Sequence, residues 1–231
     1  MCISPEVSFA MSGVLGVSGA YCVQRAVRVD RSFLPLAIIP VMFGIQQFSE
    51  GLVWVGLERG DPAMVSAAAR VFLYVALAFW PIWVPVSTLL VERHGRTKHF
   101  LVAMSGVGLV LGLGLMIPLF VDPSWLTVHV VHHSLHYNIS RSPVFAVFPG
   151  GLWEVLYLLV VSAPLFVSSV NQLVHLGVAI ILSAAVSYVL VEHTFASVWC
   201  FVAAGLSLYL CTVFFALDRA SRGTAGAPHR T

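Results

Sequence analysis

Long apolar runs alternate with short polar breaks along this chain, and seven of them approach the roughly 20 residues a helix needs to cross a hydrocarbon layer. They predict helices over residues 7–23, 33–57, 66–90, 100–120, 151–167, 172–191 and 196–217. The second run is broken by polar side chains in Gln46-Gln-Phe-Ser-Glu-Gly-Leu-Val-Trp54. At helical spacing Gln46 and Gln47 precede Glu50 by three to four residues and Trp54 follows it by four, so the polar groups share one face. A carboxylate at the bilayer centre costs about 2.5–3.5 kcal/mol on insertion scales, so Glu50 must face the bundle interior, be partnered or be protonated. Pro40 predicts a kink earlier in the same helix, and Phe79-Trp-Pro-Ile-Trp-Val-Pro85 predicts a kinked aromatic belt in the third. Ser12, Gly16 and Ala20 give the first helix a small-residue face, and Gly108 with Gly112 gives the fourth a close-contact pair.

Residues 121–148 are the one long connection, and strands over 133–139 and 144–148 around Ser140-Arg-Ser-Pro143 are expected to pair as a hairpin. The fold class is all-α: a polytopic bundle of seven transmembrane helices forming one domain over residues 1–217. The tail over 218–231, rich in Gly, Ala and Arg, is expected to be disordered and cytoplasmic.

Composition agrees with a membrane chain: 231 residues, 59% hydrophobic and only 10% charged. The net charge of +2 forms no basic stripe interleaved with aromatics, so nucleic acid is not an expected partner, and the lipid bilayer is. Other membrane subunits or a second copy of the chain are further candidate partners. Arg25, Arg28 and Arg31 follow the first run, Arg93, Arg96 and Lys98 the third, and Arg219 and Arg222 the last. With seven crossings these clusters fall on one side, which places the N-terminus outside and the C-terminus in the cytoplasm. The first run lacks a basic flank before it, so it is expected to be retained as a helix.

That orientation gathers the polar chemistry on the outer side. Cys2, Ser4 and Glu6, the outer half of the second helix, Arg70, Glu154, Glu192, His193, Ser197 and Cys200 all fall there, as does His129-Val-Val-His-His-Ser-Leu-His136. Cys22 and Cys211 fall toward the other end, and no cysteine spacing reads as a zinc motif. Glu50 serves either to hold helices together, through a neighbouring helix or Arg70, or as a functional group. Gln46 and Gln47 read as helix-joining amides or as the lining of a ligand cavity. Trp54, Trp125, Trp153 and Trp199 read as interfacial anchors. In the histidine run, a helix would bring His129 to His133 or His132 to His136, and a strand would bring His132, Ser134 and His136 to one face, either of which suits a metal. His129 to His133 also fits the HxxHH spacing of membrane desaturases, but the fourth helix separates it from His94 and His99 across the membrane.

Met1-Cys-Ile-Ser-Pro5, Gln46-Gln-Phe-Ser-Glu-Gly-Leu-Val-Trp54, His133-Ser-Leu-His-Tyr137 and Thr194-Phe-Ala-Ser-Val-Trp-Cys-Phe201 together resemble an uncharacterised family of small bacterial multi-pass membrane proteins. Its pattern has Met-Cys-Phe-Ser-Ala at the start, so Ile3 and Pro5 depart from it, and His129, His132 and His136 lie outside it. The resemblance implies the bacterial inner membrane and singles out Cys2, Glu50, His133, Tyr137 and Cys200, and it carries no activity. The leading expectation is a polar site in the outer leaflet that binds a metal, in which Glu50, His133 and His136 supply oxygen and nitrogen and Cys2 or Cys200 supplies sulfur. Zinc, copper or iron would suit such ligands, and a metal-dependent membrane enzyme would follow. The alternative is a non-enzymatic transporter, sensor or accessory subunit whose Gln46, Gln47 and Glu50 stripe, with Trp54 and Tyr137, lines a ligand cavity.

Overall fold

A computed structural model describes residues 4–131, 133–139, 142, 151–190 and 195–225. Its seven helices are α1 (Pro5–Val29), α2 (Arg31–Arg59), α3 (Pro62–Val91), α4 (Gly95–Val121), α5 (Leu152–Val167), α6 (Asn171–Leu190) and α7 (Phe195–Ser207 continued by Tyr209–Ala225). A two-stranded antiparallel sheet of β1 (Thr127–Val131) and β2 (Ser134–Asn138) lies between α4 and α5. Six of the helices are long and apolar enough to cross a membrane, and α5 is a shorter apolar helix.

The helix ends follow local chemistry. Gly60 takes a left-handed conformation (φ 63°) that closes α2, and the Asp61 carboxylate accepts from the amides of Ala63 and Met64 to open α3, with Pro62 as its first residue. Within α2 the helix breaks at Ile38, where Pro40 has no N–H to give the preceding turn, and the Trp83 indole donates to the Pro35 carbonyl beside that break at 2.8 Å. Helix α3 winds as π-helix over Tyr74–Phe79, just before Pro81. The proline cannot donate back along the helix, and the wider turn accommodates it.

α1 runs alongside α2, and the close approach is made by Ser12, Leu15, Gly16 and Gly19 of α1 with Val41 and Gly44 of α2. A methyl on Gly19 would lie 2.4 Å from Val41, and one on Gly44 would lie 3.4 Å from the Ser12 carbonyl. Of the face expected on α1, Gly16 meets α2 only through its backbone and Ala20 is exposed. The Gly108 and Gly112 pair behaves as expected: a methyl on Gly108 would stand 1.9 Å from the Pro81 carbonyl oxygen, and one on Gly112 2.6 Å from that of Ala78. Helix α4 therefore lies directly on the kinked part of α3.

The strand expected over 133–139 is present, and it pairs with the run before it. The β-branched run Thr127-Val-His-Val-Val131 forms the first strand, and Ser134–Asn138 forms the second. The turn falls between Val131 and Ser134, with His133 left-handed at φ 56°. The expected partner strand 144–148 lies outside the described residues. Helix α7 continues through residues 218–225, and 226–231 lie outside the description. Leu135 and Tyr137 turn inward onto Phe72, Trp54 and Cys200, so the hairpin covers the end of the bundle where α2 and α7 meet.

Candidate functional site

Helix α2 presents Gln46, Gln47 and Glu50 on one face, and each is fully buried, whereas Ile45 and Phe48 on the other face are exposed. The Glu50 carboxylate is held from both sides. Its Oε1 accepts from the Ser197 hydroxyl of α7 at 2.6 Å, and its Oε2 accepts from Gln47 Nε2 at 3.2 Å. Gln46 Oε1 accepts from the Trp80 indole at 3.2 Å, and the Trp80 ring stacks on Phe43 with centroids 4.1 Å apart. Trp80 reaches this position because it directly follows the π-helical stretch of α3. Cys200, one turn beyond Ser197, is buried beside Gln46 and within electrostatic reach of Glu50.

Three buried polar atoms of this face have no hydrogen-bond partner among the described residues: Gln46 Nε2, Gln47 Oε1 and Trp54 Nε1. Gln46 Nε2 lies toward the Cys200 sulfur without a hydrogen bond of good geometry. Two are donors and one is an acceptor, so the face offers hydrogen bonds in both senses. Leaving such a group dry costs about 1–3 kcal/mol.

Below the cluster lies a cavity of about 60 Å³ whose walls include Phe43, Trp80, Tyr157, Trp199, Cys200 and Ser207. Trp80 and Cys200 belong to both cavity and cluster, so the two spaces adjoin. The Tyr157 hydroxyl donates to the Ala76 carbonyl inside the π-helical stretch, which fixes that wall. The room suits a short alkyl group or a few waters rather than a whole lipid.

Most of the expected site residues converge. Gln46, Gln47, Glu50, Trp54, Tyr137 and Cys200 occupy the end of the bundle under the hairpin, with Trp54, Tyr137 and Cys200 in one apolar cluster. His133 does not join them: it is exposed at the hairpin turn. His136 is partly buried and lies on the opposite face of β2 from Leu135 and Tyr137, directly across from His129. Cys2, His132, Glu192 and His193 lie outside the described residues. Among the described residues no three His, Cys, Asp or Glu side chains come together as a metal group. Arg70 turns back to the Ser66 carbonyl at 3.3 Å, and Glu154 is exposed. Trp54 and Trp153 are buried within the bundle. Ser197 and Trp80 gain roles that their local sequence signals only weakly: one is a hydroxyl a helical turn before Cys200, and the other an indole next to a proline.

A family model of unknown function, DUF6629, matches residues 1–225 of the chain. No curated protein and no solved structure matches it.

Proposed function

For a chain that belongs to DUF6629, a family of unknown function, we propose a non-enzymatic integral membrane protein of the sensor or transporter type. Its site is the Gln46, Gln47 and Glu50 face, closed by the hairpin. We place it in the inner membrane of a bacterium, with the N-terminus outside, the site in the outer leaflet and the C-terminus in the cytoplasm. The arginine and lysine clusters after α1, α3 and α7 support that orientation. The ligand is a small amphipathic molecule. Its polar end exchanges hydrogen bonds with the cluster, and a short apolar end enters the aromatic-walled cavity.

One observation carries this reading: donors and an acceptor lie unpartnered and buried on the same face as Glu50, and Trp80 and Cys200 join that cluster to the cavity. A stripe that served only to join helices would be expected to spend its hydrogen bonds on the neighbouring helices. Native mass spectrometry of the protein released from membranes in mild detergent tests it. The wild type is expected to carry a small bound species that survives chelator treatment and is lost from Gln46→Leu and Gln47→Leu. Empty wild-type protein would remove the reading.

The Cys200 thiol beside the Glu50 carboxylate favours a second reading, a metal site. Glu50 and Cys200 would hold zinc, copper or iron, with Cys2, His133 or His136 as the remaining ligands, and a metal-dependent reaction would then be open to the protein. Elemental analysis decides it. Stoichiometric metal that disappears in Cys200→Ser and Glu50→Gln would establish this second reading, and metal-free wild type would dismiss it.

A further inference from the structure

At the end of the bundle away from the hairpin, α1 and the second half of α7 share a seam that the Glu50 site does not use. Cys22 of α1 is fully buried, and its sulfur lies 3.4 Å from that of Cys211 on α7, although the two residues are 189 positions apart. Cys211 is only partly buried and lines a surface groove with Val17, Tyr21, Thr212 and Phe215, and its thiol points to the Ser18 carbonyl at 3.7 Å. Farther along the same seam Arg25 pairs with Asp218, and its guanidinium lies over the Tyr21 ring at 5.0 Å. The ion pair sets the register of the two helices, so the sulfurs meet without any helix having to move. A disulfide holds its sulfurs about 2 Å apart, and these two, on separate helices, already stand 3.4 Å from each other.

We propose that Cys22 and Cys211 form a reversible disulfide that clasps α1 to α7, with Cys211 meeting the oxidant first. The groove before Cys211 is apolar, with Val17 76% and Phe215 53% exposed, so the oxidant that reaches it is lipid-soluble, a hydroperoxide of acyl-chain type. The Cys211 sulfur attacks the terminal peroxide oxygen, the O–O bond breaks, an alcohol leaves and a sulfenic acid forms. The Cys22 sulfur then displaces that oxygen, which leaves as water, and the S–S bond closes. The two thiols lose two electrons and two protons, and the peroxide is reduced to alcohol and water. A dithiol reductant restores the pair by exchange. In a reducing compartment the pair rests as two free thiols, the state the structure shows.

The test uses full-length protein, purified reduced in detergent without oxygen and treated with one equivalent of cumene hydroperoxide. Two thiols are expected to become untitratable after denaturation, with a peptide linking Cys22 to Cys211 whose mass is lower by two hydrogens, and dithiothreitol should reverse both. The clasp closes a very long loop, so the thermal midpoint should rise by about 5 °C. In Cys22→Ser the sulfenic acid should persist on Cys211 and be trapped by dimedone. Wild-type protein that keeps both thiols, a linkage through another cysteine, or a linkage that leaves the midpoint unchanged would each overturn the proposal. The decisive readout is made on the wild type, so a poorly folding variant cannot obscure it.

Discussion

Ser197 and Glu50 lie 147 positions apart and meet at 2.6 Å, and that contact joins α7 to α2 at the candidate site. Removing the hydroxyl takes a donor from a fully buried carboxylate without changing the shape around it. Ser197→Ala is therefore expected to lower stability by about 1–3 kcal/mol, read as a shifted denaturation midpoint in detergent. Ser183, whose hydroxyl accepts from the Trp199 indole at 3.2 Å, is a useful comparison. Its hydroxyl serves two neutral groups, so Ser183→Ala should cost less, about 1 kcal/mol. Equal losses in the two variants would mean that the carboxylate does not depend on its serine.

Between elements, the tightest constraint is the seat of α4 on α3. Gly108→Ala would drive a methyl into the Pro81 carbonyl, a backbone atom that cannot swing away, so a loss of at least about 2 kcal/mol is expected. Gly106→Ala on the same helix meets nothing within 4 Å and should cost nothing. Denaturation of the two variants side by side separates a steric effect from helix propensity. At the α3 to α4 turn, Glu92 ties two loops together: its carboxylate accepts from the amides of Arg93 and His94, from the His94 ring at 3.1 Å and from the Ser169 amide at 2.7 Å. Burial pushes this carboxyl up, but the hydrogen bonds outweigh it and hold it at about 2, below its ordinary 4.5. A depressed carboxyl stabilises the fold fully above pH 4.5 and loses that contribution as pH falls toward 2. The amount at stake is about 3 kcal/mol. Acid titration of stability should show this loss in the wild type and a flatter curve in Glu92→Gln.

These elements were unevenly legible in the sequence. The apolar runs mark the helices because a bilayer-crossing helix needs an unbroken stretch of hydrocarbon side chains. The stripe of Gln46, Gln47 and Glu50 is visible because its residues recur at the helical period. The strand over 133–139 was legible, but its pairing with Thr127–Val131 was missed because a left-handed histidine is a rare turn residue, while Ser-Arg-Ser-Pro carries the usual breaker chemistry. The Ser197 and Trp80 contacts depend on which helices become neighbours, and no local pattern encodes that.

For the whole molecule, the paired loops and seams at one end and the hairpin at the other give the bundle two distinct faces. With the N-terminus outside, green fluorescent protein fused to the C-terminus should fluoresce, and alkaline phosphatase inserted at the hairpin turn should be active. Dark and inactive fusions together would reverse the orientation and put the Glu50 cluster on the cytoplasmic side.

The π-helical stretch Tyr74–Phe79 has a consequence in terms of chain length. A π-turn accommodates one residue more than the α-helix it interrupts. Shortened by one residue there, α3 would run as a regular helix with everything beyond facing as it does now, whereas a regular helix of the present length would swing everything beyond by about 100° around its axis. Trp80 would turn away from Gln46, the Tyr157 hydroxyl would lose the Ala76 carbonyl, and the Pro81 carbonyl would leave its seat against Gly108. The facing of the site's indole thus rests on the wide turn, because a regular α-helix of the same length could not present Trp80 to Gln46.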